Sequence, residues 1–312
     1  MRNRWLPGFV VLSAIWGSSF ALIKVAVDAG VAPVWVALWR CLFGALALLA
    51  VCLARREPMP VVPAAWGHAA VVAALLNAVP FALLAHGERL VSSVRAGALN
   101  AATPLATMVF AALLVPAERL TARRVVGLAV GFVGVLVLLG GGSWSGGGGS
   151  GGGELACLGA TLSYGAGFAY SRRFFAGLGG SLAALSTAQI GCATVELAVV
   201  TPWLAGPARW PGTSAAAALL LLGAVGTGYA YILNLRLIRS AGAAVTASVT
   251  YLIPVWSTAW GALLLAEPVG WHTVSGAALV VGGIVTARRR PRPHTPPPRH
   301  REGHDTGAAD RT

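Results

Sequence analysis

Residues 7–27 read PGFVVLSAIWGSSFALIKVAV, and residues 154–174 read ELACLGATLSYGAGFAYSRRF. The first is a run of 21 residues whose only charge is Lys24. As a helix rising about 1.5 Å per residue, it is long enough to cross a hydrocarbon layer about 30 Å thick. Comparable apolar blocks, bounded by Pro, Gly and Arg, lie at 34–54, 66–86, 95–115, 123–140, 182–204, 214–236, 243–265 and 269–287. The 312 residues are 56% hydrophobic and 11% charged, against roughly a quarter charged in soluble domains. That balance excludes an ordinary soluble enzyme. The expectation is an all-α polytopic membrane protein with ten transmembrane helices. Arg2 and Arg4 precede the first block as in a signal peptide, but its apolar run is too long for one, so it is expected to remain as a helix.

The 23 Lys+Arg against 10 Asp+Glu would point to nucleic acid in a soluble chain, but here the arginines mark loops. One set of helix ends carries Arg2, Arg4, Arg55, Arg56, Arg119, Arg123, Arg124, Arg172, Arg173, Arg236, Arg239 and the cluster Arg288 to Arg292, whereas the other set has only Arg89, Arg95 and Arg209. Basic residues are retained on the cytoplasmic side. Both termini are therefore expected in the cytoplasm, which needs an even number of spans. Cys41, Cys52, Cys157 and Cys192 fall inside apolar blocks without metal-ligand spacing and read as small buried hydrophobes.

Residues 140–153 are almost entirely Gly and Ser, a flexible linker reaching ~20 Å by the square-root rule. Gly148, Ser150 and Gly152 there match a serine-nucleophile pattern by chance, since that motif needs a strand before it. Residues 288–312 form a Pro-rich basic tail with too few apolar side chains to fold, and its arginines suit anionic lipid.

At an offset of about 149 the chain repeats itself. Trp16, Gly17, Phe20 and Lys24 fall on Tyr164, Gly165, Phe168 and Arg172, and Arg40 falls on Gln189. Pro104, Glu118, Gly127 and Gly134 fall on Pro254, Glu267, Gly276 and Gly283. A unit of five spans is odd, so the second copy enters the membrane from the opposite side. Two inverted five-helix repeats, 1–139 and 154–287, are the expected organisation, one used by secondary transporters with a site near the midplane.

The W-G-S-S-F run at 16–20 with Lys24, Arg40 in the second helix, and the duplicated Pro…Glu…Gly…Gly endings resemble the EamA-type transporters of the drug/metabolite transporter superfamily. The resemblance covers about 7–287. It implies a carrier of small organic solutes in the cytoplasmic membrane, commonly an exporter, with helices one to four and six to nine around a cavity and five and ten outside. Partners would be a small-molecule substrate and membrane lipid; no nucleic acid and no cofactor is implied.

Candidate site residues follow from physics. Pro104 and Pro254 each remove a backbone donor and free a carbonyl four residues earlier, at Asn100 and at Thr250 beside Tyr251. These read either as structural kinks or as two facing substrate-binding breaks, and Pro80 with Asn77 is a weaker third case. Trp16, Tyr164, Trp256 and Trp260 lie away from the interfacial belts and read as core packing or as cavity lining. Charges within spans are costly. Arg40 and Glu196 are recessed to similar depth, as an ion pair or gate or in separate roles, and in the latter case Arg40 is favoured as a contact for a carboxylate on the solute. Lys24 pairs with Asp28 or meets an anionic group. Glu118 and Glu267 favour the dipoles of the helices they precede, or serve coupling. His86 and Glu88 are a weaker proton-relay pair. Gly127 and Gly131 form a small-residue face that packs within the chain or forms a homodimer.

These features point to a secondary transporter of a small metabolite or drug, working by alternating access. No Walker A segment indicates ATP drive. An intramembrane enzyme or a channel is the rival reading, and the spans carry no nucleophile–base pair or metal motif.

Overall fold

The computed structural model describes residues 5–59, 63–114, 122–140, 150–175, 177–178, 181–241, 246 and 248–287. Linker residues 141–149, the tail 288–312 and Glu118 lie outside these, as does the side chain of Tyr251.

Among the described residues the chain forms ten helical rods. They are α1 (Leu6–Asp28), α2 (Pro33–Ala54), α3 (Pro63–Glu88), α4 (Ser93–Leu114), α5 (Ala122–Gly140), α6 (Ser150–Tyr170, continued by Ser171–Phe175), α7 (Leu182–Ala205), α8 (Thr213–Leu220, Leu221–Tyr229 and Ala230–Ala241), α9 (Ser248–Tyr251 and Ile253–Leu265) and α10 (Trp271–Ala287). Six are long and apolar enough to cross a membrane: α1, α2, α3, α4, α7 and α8. The reason is elementary. In lipid the backbone must satisfy its own hydrogen bonds, so each apolar block becomes a helix. The protein is an all-α polytopic membrane protein.

Helix α6 begins at Ser150, inside the stretch read as linker. Tertiary packing overrides the poor helix propensity of its glycines. A Cβ on Gly153 would lie 2.7 Å from Leu90 Cβ and 3.0 Å from the Gly87 carbonyl oxygen, and Glu154 forms an ion pair with Arg95 of α4. Gly140, also read as linker, ends α5.

Contacts between loops sort to two ends. At the Arg-rich end Ser181 bonds Glu57, Arg173 donates to the Leu114 carbonyl and Arg123 donates to the Thr286 carbonyl. At the Arg-poor end Lys24 meets the Glu88 carbonyl, Glu267 meets Ser93 and Trp35 donates to the Gly206 carbonyl.

Glycines set the close crossings. Helix α1 packs on α9 and α6 packs on α4. A Cβ on Gly17 would lie 2.3 Å from Trp256 Cβ, and one on Gly165 2.6 Å from Ala106 Cβ. In both places an aromatic–Gly pair meets a helix just after its proline. Gly17→Ala is therefore predicted to cost about 1–3 kcal/mol through overpacking, read as a lower unfolding midpoint in detergent; an unchanged midpoint would show that α9 yields freely. The face bearing Gly127 and Gly131 is occupied inside the chain, where a Cβ on Gly283 of α10 would lie 2.5 Å from the Gly127 carbonyl oxygen and from the Gly131 amide. Packing between α5 and α10 thus accounts for the feature that suggested a homodimer.

Candidate functional site

The helices are interrupted where the prolines lie. Helix α4 breaks at Ala101–Ala102 and resumes with Thr103–Leu114, Pro104 standing in the first turn. Helix α9 passes from a 3₁₀ turn, Ser248–Tyr251, into Ile253–Leu265 with Pro254 in its first turn. Proline is well placed there because its absent N–H would be unpaired anyway. Three further stretches widen into π turns, Ala74–Ala78, Ser171–Phe175 and Leu221–Tyr229. The first precedes Pro80, and Ser163 Oγ donates to the Leu75 carbonyl within it at 2.8 Å. The weaker third case from sequence thus has a hydrogen-bond partner from another helix at its break.

A cavity of about 310 Å³ lies between these breaks. Among the described residues its walls come from α1–α4 and α6–α9, with nothing from α5 or α10, the arrangement that the family resemblance implies. Trp16, Arg40, Asn100, Tyr164 and Thr250 all line it. All three π turns contribute, through Leu76, through Ser171 and Phe175, and through Gly226. Such turns recur at functional sites because the extra residue redirects side chains. On α1 and α3 the lining stops at Ile23 and Leu84, short of the Arg-poor end, whereas Ser171, Phe175, Leu182, Asn234 and Thr250 carry it toward the Arg-rich end.

Arg40 is held from two directions. Glycines 44, 223 and 228 bring α2 and α8 together, a Cβ on Gly44 falling 2.7 Å from Thr227 Cγ2. Arg40 Nε then donates to Thr227 Oγ1 at 3.2 Å, and its Cζ lies 3.8 Å from the centre of the Phe81 ring. Arg40 and Glu196 therefore form no ion pair. Similar depth placed them together, but their helical phase did not. Glu196 Oε2 is buried without a partner among the described residues.

Other assignments shift. Trp256 does not line the cavity; its Nε1 donates to Ser13 Oγ at 2.9 Å and its ring stacks on Trp260, so it packs α9 on α1. Lys24 pairs with Asp28 Oδ1 at 3.0 Å and donates to the Glu88 carbonyl at 2.9 Å, tying α1 to the end of α3 outside the cavity. Glu267 does not serve the helix it precedes. Its carboxylate accepts from Ser93 N, Val94 N and Ser93 Oγ at 2.8–2.9 Å, capping α4.

The sequence offered Asn77 beside Pro80 and Gln189 as the counterpart of Arg40, but not the contact between them. Gln189 Nε2 donates to Asn77 Oδ1 at 2.6 Å, and Asn77 Nδ2 donates to the Tyr231 hydroxyl at 3.4 Å. Asn77 and Gln189 are buried polar residues in spans, whereas Tyr231, which shares the cavity wall with Gln189, carried no separate signal in the sequence. Glu88 is wholly buried, and both its carboxylate oxygens lack a partner among the described residues.

Known proteins resemble this chain along most of its length. Over 294 residues the chain is 28% identical to the uncharacterized inner membrane transporter YedA of Escherichia coli (strain K12), covering 91% of this chain and 90% of that one. Over 278 residues it is 22% identical to the uncharacterized transporter YoaV of Bacillus subtilis (strain 168), covering 89% and 94%. A protein solved by crystallography superposes with a TM-score of 0.61 at 24% identity, over 92% of this chain and 98% of that one, a likeness of fold. The model of the EamA-like transporter family matches twice, at residues 3–140 and 151–288. With nearly all of the helical chain accounted for in this way, the protein belongs to the EamA-like transporter family of the drug/metabolite transporter superfamily and is a membrane transporter, not an enzyme.

Proposed function

We propose that the chain is a secondary transporter that exports a small organic solute across the cytoplasmic membrane by alternating access, with the cavity open here to the cytoplasm. The observation that carries this reading is one cavity, walled by both halves, that reaches the Arg-rich end and stops at Ile23 and Leu84 toward the other. Positive loops orient membrane proteins inward, so the Arg-rich end is the cytoplasmic one and both termini lie there. All ten rods are read as spans, in two inverted five-helix units, 1–140 and 150–287, joined by an external linker at 141–149 and followed by a cytoplasmic tail at 288–312.

Two features support the inverted repeat. The Gly17 crossing of α1 on α9 has its counterpart in the Gly165 crossing of α6 on α4. The π turns in α3 and α8 occupy corresponding positions. An inverted pair placed about one cavity can expose it to each side in turn. The solute would sit between the broken helices, beside Trp16, Asn100, Tyr164 and Thr250. Pro104 and Pro254 set those breaks. Tyr251 joins the proposal through its place in the second break, while Lys24 closes the external end.

Orientation has a direct check. In a background lacking the four native cysteines, Ala208→Cys should react with an impermeant maleimide from outside intact cells and Pro58→Cys should not. The reverse pattern would overturn the assignment. The carrier itself is tested in proteoliposomes with a solute found by thermal-shift screening of a metabolite library. Flux should saturate and show counterflow, and Trp16→Ala or Asn100→Ala should weaken apparent affinity by about tenfold while insertion is retained. Unsaturable flux indifferent to solute on the far side would indicate a channel.

A further inference from the structure

The cavity wall carries one positive charge and, among the described residues, no negative one. Arg40 is 7% exposed, with Nε on Thr227 and its guanidinium over Phe81. Its two Nη atoms have no hydrogen-bond partner among the described residues. Neither Glu88 nor Glu196 lines the cavity or forms an ion pair with it. A desolvated guanidinium is costly until an anion meets it, and its planar fork matches a carboxylate through two parallel bonds. The corresponding position of the second half, Gln189, lines the same cavity but is neutral and engaged with Asn77. Trp16, Phe20, Tyr164 and Phe168 add aromatic faces to the wall.

From this we infer that the solute is an organic monoanion, its carboxylate on the Nη edge of Arg40 and a flat apolar body among the aromatic side chains. A cation would meet the charge of Arg40. A zwitterion would bring an ammonium group for which the described lining holds no carboxylate. This inference rests on the transporter reading and narrows its substrate class.

Four probes with one ring separate the alternatives: phenylacetate, phenylacetamide, phenethylamine and phenylglycine. Titrated into the purified protein in nanodiscs and followed by tryptophan fluorescence, phenylacetate should bind about 10–100-fold tighter than the amide. Arg40→Gln should abolish that preference and Arg40→Lys should retain most of it. Gln189→Glu supplies the missing anion on the opposite wall and should admit phenylglycine. Binding by none of the four, equal binding of amide or amine, or a preference that survives Arg40→Gln overturns the inference. Should Arg40→Gln fail to fold, the wild-type ranking and the Gln189→Glu result decide. Phenylacetate that binds through Arg40 but is not carried in proteoliposomes counts against the transporter reading and leaves the anion site standing. Carriage without charge preference does the reverse.

Discussion

Glu267→Ala should lower the stability of the protein by about 2–4 kcal/mol, the sum of a lost helix cap and of charge-assisted bonds. The first turn of α4 leaves backbone N–H groups that its own helix cannot satisfy. Glu267 takes those of Ser93 and Val94, and the Ser92 side chain takes that of Arg95. A carboxylate there also opposes the positive end of the helix dipole. Without Glu267, two amides and the Ser93 hydroxyl lose their acceptor, and the α9–α10 connection loses its anchor. Glu267→Gln should lose less, since an amide oxygen still accepts, and Ser92→Ala should cost about 0.5–2 kcal/mol. Unfolding midpoints in mild detergent measure all three. A Glu267→Ala midpoint within about 0.5 kcal/mol of wild type would mean that water satisfies that helix end.

The second large effect has the opposite sign. Glu88 has no exposed surface, and its carboxylate oxygens have no donor among the described residues. Lys24 reaches its backbone carbonyl, not its side chain. A buried polar group without a partner destabilises the state that buries it. Glu88→Leu should therefore stabilise this state by about 1–3 kcal/mol while slowing transport, because the Arg-poor end would lose the group that favours water on opening. A gain in midpoint together with a fall in turnover is the expected pair of readings, as in other exchanges of stability for activity. Unchanged turnover would mean that Glu88 stays buried throughout the cycle.

Much of the architecture could be read from the chain because lipid leaves few choices. The block 34–54 became Pro33–Ala54 and 182–204 became Leu182–Ala205, since each run must close its own hydrogen bonds and ends where Pro or Arg appears. Pro104 and Pro254 marked real breaks for the same reason. What stayed hidden was the rotation of each helix about its axis. Spans that are apolar on every side give no phase, so Arg40 and Glu196 could be placed at one depth but not on facing sides. Trp256 turned to Ser13 rather than the cavity for want of the same information. The acceptor role of Glu267 joins positions 174 residues apart, a contact made by packing and absent from any local pattern. The π turn at Ala74–Ala78 was signalled only by Pro80, and the longer one at Leu221–Tyr229 by its glycines, which in sequence look like ordinary small-residue packing.

If one cavity opens to each side in turn, distances between paired spin labels at the two ends will vary in opposition. One pair, at Ala29 and Leu90, reports the Arg-poor end; the other, at Gly177 and Ser240, reports the Arg-rich end. Two populations are expected for each pair, with the Arg-poor pair short when the Arg-rich pair is long, and a shift between them when a transported solute is added. A single unchanging distance at both ends, or both ends widening together, would contradict opening to each side in turn.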